Sequence, residues 1–377
     1  MKVLKIGIVI FGLSIILWMR QSLFADELSL NEQRQDPVER RQKIELEKFY
    51  YGNGKDNKAP KTPIAIGFYN DAVKFYEKGE YDLARQALNE SLALVPRNAL
   101  AYELLGEIEN LQQNPERASE YYKKSYLMNP TPRVRKRIEQ LQKEQRVDNK
   151  LDTYDEEHFI IKYRRGEQGY EGYWLKNMLR ECYRQVSQDF GYFLNHKTVV
   201  LFYSRDEFND VTGQEHWVGG LYDGKIRLPS YQQGFKEIDL RLAAIHELTH
   251  AFVAILSGMR APAWIHEGLA QYEEAQIAPK DMLVFEAAVK TKALIPLNRL
   301  FSEKMDSKKK DKLEIMLFYQ ESYMLVHYLV KRYQMYRIKG MLIKFKEGKT
   351  VEEAVEETFG ISVHQLEKEW LATLSRT

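Results

Sequence analysis

His246-Glu247-Leu248-Thr249-His250, followed by Trp264-Ile265-His266-Glu267-Gly268, is the most informative part of this sequence. The first segment lies within a run of apolar residues that recur at helical spacing. Residues four apart on an α-helix share one face, so His246 and His250 are expected about 6 Å apart along the axis. That separation lets two imidazoles bind one Zn²⁺ at about 2.0–2.1 Å each. Glu247 lies one step round the helix, where it can take a proton from water on the metal.

A catalytic zinc site needs a third protein ligand, and Glu267 is the best candidate. It lies on a second predicted helix, which begins near Ala261-Pro262-Ala263 after a turn at Gly258. His266 is the competing ligand, but adjacent helical positions point about 100° apart, so His266 and Glu267 should not both reach one ion. We favour Glu267. The alternative for the whole motif is a buried histidine pair with a structural role.

The two segments resemble a known group of enzymes. His-Glu-Leu-Thr-His followed by Pro-Ala-Trp-Ile-His-Glu-Gly-Leu-Ala-Gln-Tyr is similar to the gluzincins, zinc peptidases whose third ligand is a glutamate on the next helix. Within them the chain is most similar to the bacterial peptidase MA-like family and more distantly to aminopeptidase N, roughly from Glu156 to the C-terminus. The resemblance implies a thermolysin-like α+β domain, with His246, His250 and Glu267 as zinc ligands and Glu247 as the general base.

This sequence also departs from aminopeptidase N, in which an asparagine precedes the third ligand and the two motifs are slightly further apart. Here His266 occupies that position. The resemblance further suggests that Glu274 is a carboxylate that orients a ligating histidine. The alternative is that Glu274 is an exposed helical acid beside Glu273.

Two more assignments rest on the resemblance. Tyr319 begins a segment similar to the aminopeptidase N segment in which a tyrosine precedes an apolar helix, and it would donate a hydrogen bond to the oxyanion. The alternative is an aromatic core residue, and Tyr323 is a weaker candidate for the same role. The Gly220–Leu228 region would supply the edge strand that pairs with the substrate backbone, or else an ordinary sheet strand.

Composition narrows the classes of function. The chain has 377 residues and is 44% hydrophobic, enough for about two or three domains. Its 56 Lys and Arg residues nearly balance 54 Asp and Glu residues, so there is no electrostatic case for a nucleic-acid partner. Cys182 is the only cysteine, which excludes an internal disulfide. It lies in a helical apolar pattern, which favours a core thiol over a nucleophile.

Residues 1–25 are typical of a secretory signal peptide. Lys2 and Lys5 precede an apolar run from Ile6 to Met19, which is shorter than the about 20 residues that span a bilayer. Leu23-Phe24-Ala25 offers a cleavage point. The prediction is export to the periplasm or the extracellular space. The alternative is an uncleaved membrane anchor.

Residues 26–63 are polar and are predicted to be a flexible linker, and 64–147 contain an internal repeat. Four pairs of positions lie 34 residues apart: Pro96 and Pro130, Ala84 and Ala118, Leu88 and Tyr122, Ser91 and Ser125. This period, with small residues and a closing proline, is similar to that of tetratricopeptide repeats. The helical stretch Val134–Val147 would cap the array. The repeats would bind a protein partner or serve as a brace for the enzyme domain.

Residues 148–377 are predicted to form the catalytic domain. His158–Tyr163 and Lys197–Tyr203 are strand-like, and Gly219–Pro229 predicts a strand pair around an Asp-Gly turn. Ser362–Leu374 predicts a closing amphipathic helix. The overall fold class is therefore α+β, with an all-α repeat region before a small sheet and the metal-binding helices.

The predicted function is that of an exported zinc-dependent metallopeptidase that acts on a peptide or protein substrate. The competing prediction is an envelope scaffold whose repeats bind a partner and whose zinc domain is inactive or structural. A third is a zinc hydrolase of a non-peptide amide. Contact with a membrane is expected only if the N-terminal segment stays uncleaved.

Overall fold

The computed structural model of this protein describes residues 61–77, 80–112, 114–164, 169–212, 219–230, 236–302 and 311–374. The predicted signal peptide and residues 26–60 of the predicted linker lie outside these ranges. The described chain divides between Gln142 and Lys143 into two compact units, a helical one and a mixed one.

The helical unit is a succession of helices separated by short turns. In chain order these are α1 (Lys61–Glu77), α2 (Tyr81–Leu94), α3 (Ala99–Leu111), α4 (Pro115–Met128) and the first part of α5 (Pro132–Asp148). Helix α1 packs on α2, and α3 packs on α4. The side chain of Asn98 caps α3 by accepting from the N–H of Ala101 at 3.1 Å, and Pro115 occupies the first turn of α4. The tetratricopeptide identity of these pairs stays a prediction.

The start of α1 corrects the predicted linker. Residues 61–63 were predicted to be part of the linker, in which Pro63 served as a marker of irregular chain, but they are helical. Proline is tolerated in the first turn of a helix, because the N–H groups there have no partner within the helix. The helical unit therefore begins earlier than the predicted boundary at residue 64.

The mixed unit contains a five-stranded sheet with the order β1-β2-β3-β5-β4. Its strands are β1 (Asp152–Asp155), β2 (Phe159–Tyr163), β3 (Thr198–Tyr203), β4 (Leu221–Tyr222) and β5 (Ile226–Pro229). Strands β2, β3 and β5 are parallel, and β1 and β4 are antiparallel strands at the two edges. Every residue of β3 is buried, as expected for a β-branched and aromatic strand at the centre of a sheet that is covered on both faces.

The Gly220–Leu228 region supplies both an edge strand and an interior strand of the sheet. Strand β4 lies at the edge, as the sequence predicts for this region, whereas β5 lies inside the sheet between β3 and β4. Only Leu221 and Tyr222 occupy the edge, where they pair with Arg227 and Ile226. The cause of the interior position of β5 is its parallel pairing with β3, a long-range contact that the local strand pattern does not contain. Pairing of the β4 edge with a substrate backbone stays a prediction.

Helices make up the rest of the mixed unit. They are α6 (Gly169–Phe190), α7 (Arg205–Thr212), α8 (Glu237–Ser257), α9 (Ala263–Ala275), α10 (Leu283–Thr291), α11 (Leu297–Ser302), α12 (Lys312–Tyr333), α13 (Met335–Lys346), α14 (Val351–Phe359) and α15 (Val363–Leu374). The small mixed sheet beside these helices agrees with the predicted α+β class.

Helix α8 is the central element of the mixed unit. It packs against α6, α9, α13 and the β4–β5 strand pair. Among the described residues it alone is long and apolar enough to cross a membrane, yet 83% of its most apolar window is buried within the protein, as in a core helix. It ends at Gly258, whose left-handed backbone (φ 59°) turns the chain towards α9.

Cys182 lies on α6 in the core that α6 forms with α8. Burial raises the pKa of its thiol to about 12, so the thiolate that a nucleophile requires is disfavoured. The structure therefore agrees with the prediction of a core thiol.

Candidate metal centre

Three side chains from α8 and α9 converge at the centre of the mixed unit. His246 and His250 lie one turn apart on α8, and Glu267 lies on α9, with one potential ligand atom of each within 4.8 Å of the others. All three are buried. The turn at Gly258 sends α9 back along α8, which is why a glutamate far along the sequence reaches the histidine pair.

The distances between these ligand atoms suit a shared cation. Nε2 of His246 lies 3.5 Å from Oε2 of Glu267, and Nε2 of His250 lies 3.5 Å from Oε1 of the same carboxylate. Two ligands at about 2.1 Å from a tetrahedral ion lie about 3.4 Å from each other. The three side chains are therefore spaced as ligands of one ion.

Unpartnered polar atoms point to the same conclusion. Both ring nitrogens of His250 and Oε2 of Glu267 are buried and have no hydrogen-bond partner among the described residues. Such atoms cost about 1–3 kcal/mol each when they are left unsatisfied. A bound cation would satisfy Nε2 of His250 and the Glu267 oxygen, so the residues present fit a metal ion.

The surroundings of His246 and His250 shift the pKa values of the two imidazoles in opposite directions. Burial by itself lowers the pKa of His246, but the carboxylates of Glu274 and Glu267 outweigh that effect and raise the pKa to about 10. Burial lowers the pKa of His250 well below its ordinary value, and Glu267 opposes this only in part. The carboxylates of this centre therefore attract positive charge at His246, as expected where a cation is to bind.

Glu274 holds His246 from the side opposite Glu267. Nδ1 of His246 donates a short hydrogen bond to Oε1 of Glu274, which leaves Nε2 directed at Glu267. Glu274 is only 1% exposed, so the alternative of an exposed helical acid does not hold. This contact is the one expected of a carboxylate that fixes the tautomer and orientation of a ligating histidine.

The other oxygen of Glu274 is bound by Lys280, whose Nζ donates a short hydrogen bond to Oε2. Sequence reasoning missed this residue. Lys280 lies in the loop after α9, outside any periodic pattern, so no feature of the sequence singles it out.

Glu247 is fully buried beside the three-residue cluster and is not a member of it. Its side chain lies against Gly220, which directly precedes β4. Tyr319, on α12, is also buried. Burial raises the pKa of its phenol well above 10, and the charges of Glu267 and Glu247 raise it further, so the hydroxyl stays protonated and able to donate.

His266 and Tyr323 lie outside the centre. The His266 ring centroid is 5.5 Å from that of His250, and burial lowers the His266 pKa to about 3, so its imidazole is neutral. It is not one of the three clustered residues, whereas Glu267 is. Tyr323 is partly exposed and its ring faces His327, at 6.0 Å between centroids.

Comparison with known proteins supports a peptidase domain in this part of the chain. Residues 214–376 match the family described as the Peptidase MA superfamily. That span contains α8, α9 and α12, and therefore the three clustered residues, Glu247 and Tyr319. The match and the buried cluster together support a metallopeptidase-like domain of the MA type.

A second similarity covers a smaller part of the chain. Over 92 residues, 24% of this chain, the sequence is 32% identical to the E3 SUMO-protein ligase RanBP2 of Homo sapiens and of Pan troglodytes, and 33% identical to the human RANBP2-like and GRIP domain-containing protein 8. The chain spans only 3–5% of the length of these relatives. Their activities as whole proteins are therefore no guide to this one.

Proposed function

We propose that this protein is a zinc-dependent metallopeptidase that hydrolyses peptide bonds in a peptide or protein substrate. The observation that carries the proposal is the convergence of His246, His250 and Glu267, buried and spaced for one cation, with Glu247 beside them. Two histidines and one glutamate are a ligand set of catalytic zinc sites, which keep a fourth position for water or substrate.

Zinc held by these three residues would lower the pKa of a water molecule to about 7 and polarise the peptide carbonyl. The Glu247 carboxylate accepts a proton from the attacking water and later gives it to the leaving amine nitrogen. The Tyr319 phenol, protonated at neutral pH, donates a hydrogen bond to the carbonyl oxygen as negative charge develops there. Glu274 keeps the His246 ring in place through its Nδ1–H.

The test is the substitution Glu247→Gln in the full-length protein. We expect the variant to bind zinc with the stoichiometry of the wild type and to have lost hydrolysis of a peptide library. Retained activity in Glu247→Gln would eliminate the proposed base. A wild-type protein that binds no zinc would overturn the whole proposal, and a zinc-loaded protein that cleaves only non-peptide amides would redirect it to another substrate class.

The substitution Tyr319→Phe tests the proposed role of Tyr319 as a hydrogen-bond donor to the oxyanion. Tyr319→Phe keeps the ring that fills the core but lacks the hydroxyl, so we expect normal folding and zinc binding with a fall in kcat of about 10²–10³-fold, the cost of one oxyanion donor. Tyr323→Phe is the matched control on the same helix and should retain the wild-type kcat. An unchanged kcat in Tyr319→Phe would return Tyr319 to a packing role.

We further propose that the chain is exported, with residues 1–25 as the signal peptide, and that the helical unit binds a protein partner. A mature N-terminus directly after Ala25 in the periplasmic or extracellular fraction would support export with cleavage. A full-length chain in the membrane fraction would instead support the anchor. Partner binding is tested by the capture of cross-linked proteins with the whole chain, which must be lost when the helical unit is deleted.

A further inference from the structure

Lys280 is a lysine placed inside the mixed unit next to the metal centre. Its side chain is only 12% exposed, and its ammonium group is bonded to Oε2 of Glu274. The other oxygen of Glu274 accepts from Nδ1 of His246. Lys280, Glu274 and His246 thus form a continuous chain of charge-assisted hydrogen bonds that ends at one of the three clustered residues.

The loop that carries Lys280 is fixed at both ends. Before it, the N–H groups of Ile277 and Ala278 donate to the Glu274 carbonyl at 2.8 and 3.0 Å. After it, Nε2 of Gln320 donates to the Asp281 carbonyl at 2.8 Å. The loop is therefore held between the end of α9, which carries Glu274, and the helix α12.

Gln320 also joins this loop to the next helix. Its Oε1 accepts from the N–H of Phe285 on α10 at 2.8 Å, so one buried amide holds both sides of the segment. Gln320 directly follows Tyr319 on α12. The position of Lys280 is consequently set by the same helix that carries the proposed oxyanion donor.

A buried carboxylate needs partners on both oxygens. Removing Glu274 from water costs several kcal/mol unless opposite charge and hydrogen bonds compensate it. His246 occupies one oxygen, and a ring that binds a cation through Nε2 contributes only a neutral N–H donor there. Lys280 supplies a positively charged donor at the other oxygen, which compensates the removal of the carboxylate from water and fixes its orientation.

We infer that Lys280 is a positioning residue of the metal centre, acting through Glu274 on His246. This inference rests on the proposed zinc site. Lys280 is not one of the three clustered residues, and the proposed mechanism gives it no contact with the substrate. Its effect is on how firmly the His246 ring is held for the ion. The loss of partners at this distance from a metal typically lowers metal affinity by about 10–100-fold.

The experiment measures the affinity for Zn²⁺ by competition with a chromogenic chelator, using the full-length protein. Lys280→Met removes the charge and keeps a similar stem, and Lys280→Arg restores a cation. Lys290→Met, at an exposed position on α10, is the matched control. We expect about 10–100-fold weaker zinc binding in Lys280→Met, recovery of most of it in Lys280→Arg, and no change in Lys290→Met.

The melting temperature of the metal-free protein distinguishes a purely structural role of Lys280 from the proposed role in positioning His246. If Lys280→Met lowers that temperature but leaves the zinc affinity at the wild-type value, the inference is overturned. If Lys280→Met does not fold, Lys280→Gln takes its place, and wild-type affinity in that variant has the same consequence. If the wild-type protein has no measurable zinc affinity, the proposed function itself is overturned. If the wild type and Lys280→Met bind zinc with equal affinity, only the inference about Lys280 is overturned.

Discussion

Gly220 lies so close to Glu247 that no side chain fits between them. A Cβ atom at residue 220 would be 2.8 Å from Cγ and 3.0 Å from Oε1 of Glu247. It would also be 3.1 Å from Cδ2 of Leu228 on β5. The absence of a side chain at this point of the β4–β5 strand pair therefore sets where the proposed general base lies.

The substitution Gly220→Ala should reduce hydrolysis and leave metal binding intact. The added methyl group must displace the Glu247 side chain near its middle, and a misplacement of about 1 Å costs about 10²-fold in rate. None of the three atoms nearest to the new methyl group belongs to a proposed zinc ligand. The measurement is kcat/KM together with zinc stoichiometry.

Gly172→Ala on α6 is the control for Gly220→Ala, because the nearest atom to its new methyl group is the Tyr163 hydroxyl at 3.5 Å, an ordinary contact. It should behave as the wild type. Full activity in Gly220→Ala would show that Glu247 has room to move without loss, and the positioning argument would fail.

A second glycine, Gly268, lets α9 and α12 approach each other beside Glu267, the third proposed ligand. A Cβ atom at Gly268 would lie 2.5 Å from the Ser322 carbonyl oxygen and 2.5 Å from Cγ2 of Val326. Gly268→Ala must therefore push α9 away from α12 and carry Glu267 with it. We expect a loss of about 1–3 kcal/mol in the free energy of unfolding, as for other overpacked cores, and weaker zinc binding.

Gly340→Ala, within α13, provides the contrast. No atom lies within 4 Å of its new methyl group, so the change should raise the free energy of unfolding by about 0.5–1 kcal/mol through higher helix propensity. Chemical denaturation of both variants gives the comparison. If Gly268→Ala and Gly340→Ala had equal free energies of unfolding, the close approach of α9 and α12 at Gly268 would have relaxed without loss of stability.

The clustering of His246, His250 and Glu267 could be predicted from the sequence because helical geometry is local. The spacing of His246 and His250 fixes their common face, and the turn at Gly258 needs only a residue that tolerates a left-handed backbone. The same geometry indicated that Glu267 and His266 would not both be ligands, and the resemblance to the gluzincins favoured Glu267. Each of these inferences uses contacts within one helix or between two consecutive helices.

The features that sequence reasoning left open depend on distant contacts. The path of the loop that carries Lys280 is held by α12, which comes later in the chain. The interior position of β5 follows from its parallel pairing with β3. Periodicity describes which face of an element is apolar, but it does not say which element will cover that face.

Glu144 belongs to a buried network of charges that joins the end of α5 to the sheet. Its Oε1 accepts from Nη2 of Arg227 at 2.9 Å, and Nζ of Lys225 lies 3.5 Å from Oε2. Burial opposes the ionisation of Glu144, but the charges of Arg227 and Lys225 outweigh it and hold the pKa below its ordinary value. Arg227 is also paired with Asp223, in the turn between β4 and β5.

Glu144→Ala should therefore strongly destabilise the mixed unit. The substitution leaves two buried cations short of a partner, which typically costs about 3–5 kcal/mol. The adjacent Lys143→Ala is the control, since Lys143 pairs with Asp210 at 2.8 Å on the surface, where such pairs are worth about 0–1 kcal/mol. Urea denaturation measures both, and similar losses would contradict the role assigned to burial.

Glu321 is a buried acid on α12 that should make stability depend on pH. Burial is the main cause that raises the pKa of Glu321 to about 8, and the nearby Glu367 carboxylate raises it further. The N–H of Ile295, which donates to Oε2 at 3.0 Å, opposes this rise. The folded protein thus keeps the Glu321 proton up to about pH 8, whereas the unfolded chain releases it near the ordinary value of 4.5. Because the folded state holds more protons in this window, the contribution of Glu321 to stability is complete below pH 4.5 and is lost as the pH rises to about 8.

Glu321→Gln removes this dependence, because the amide stays neutral at every pH. The free energy of unfolding of the variant minus that of the wild type should rise between pH 5 and pH 8, by at most about 1.4 kcal/mol per pH unit. Glu357→Gln is the control: Lys349 and Lys344 hold the Glu357 pKa below its ordinary value, so that carboxylate is ionised in both states and the difference should be flat over the same range. A flat profile for Glu321→Gln as well, measured by urea denaturation at each pH, would show that Glu321 is ionised within the fold at neutral pH.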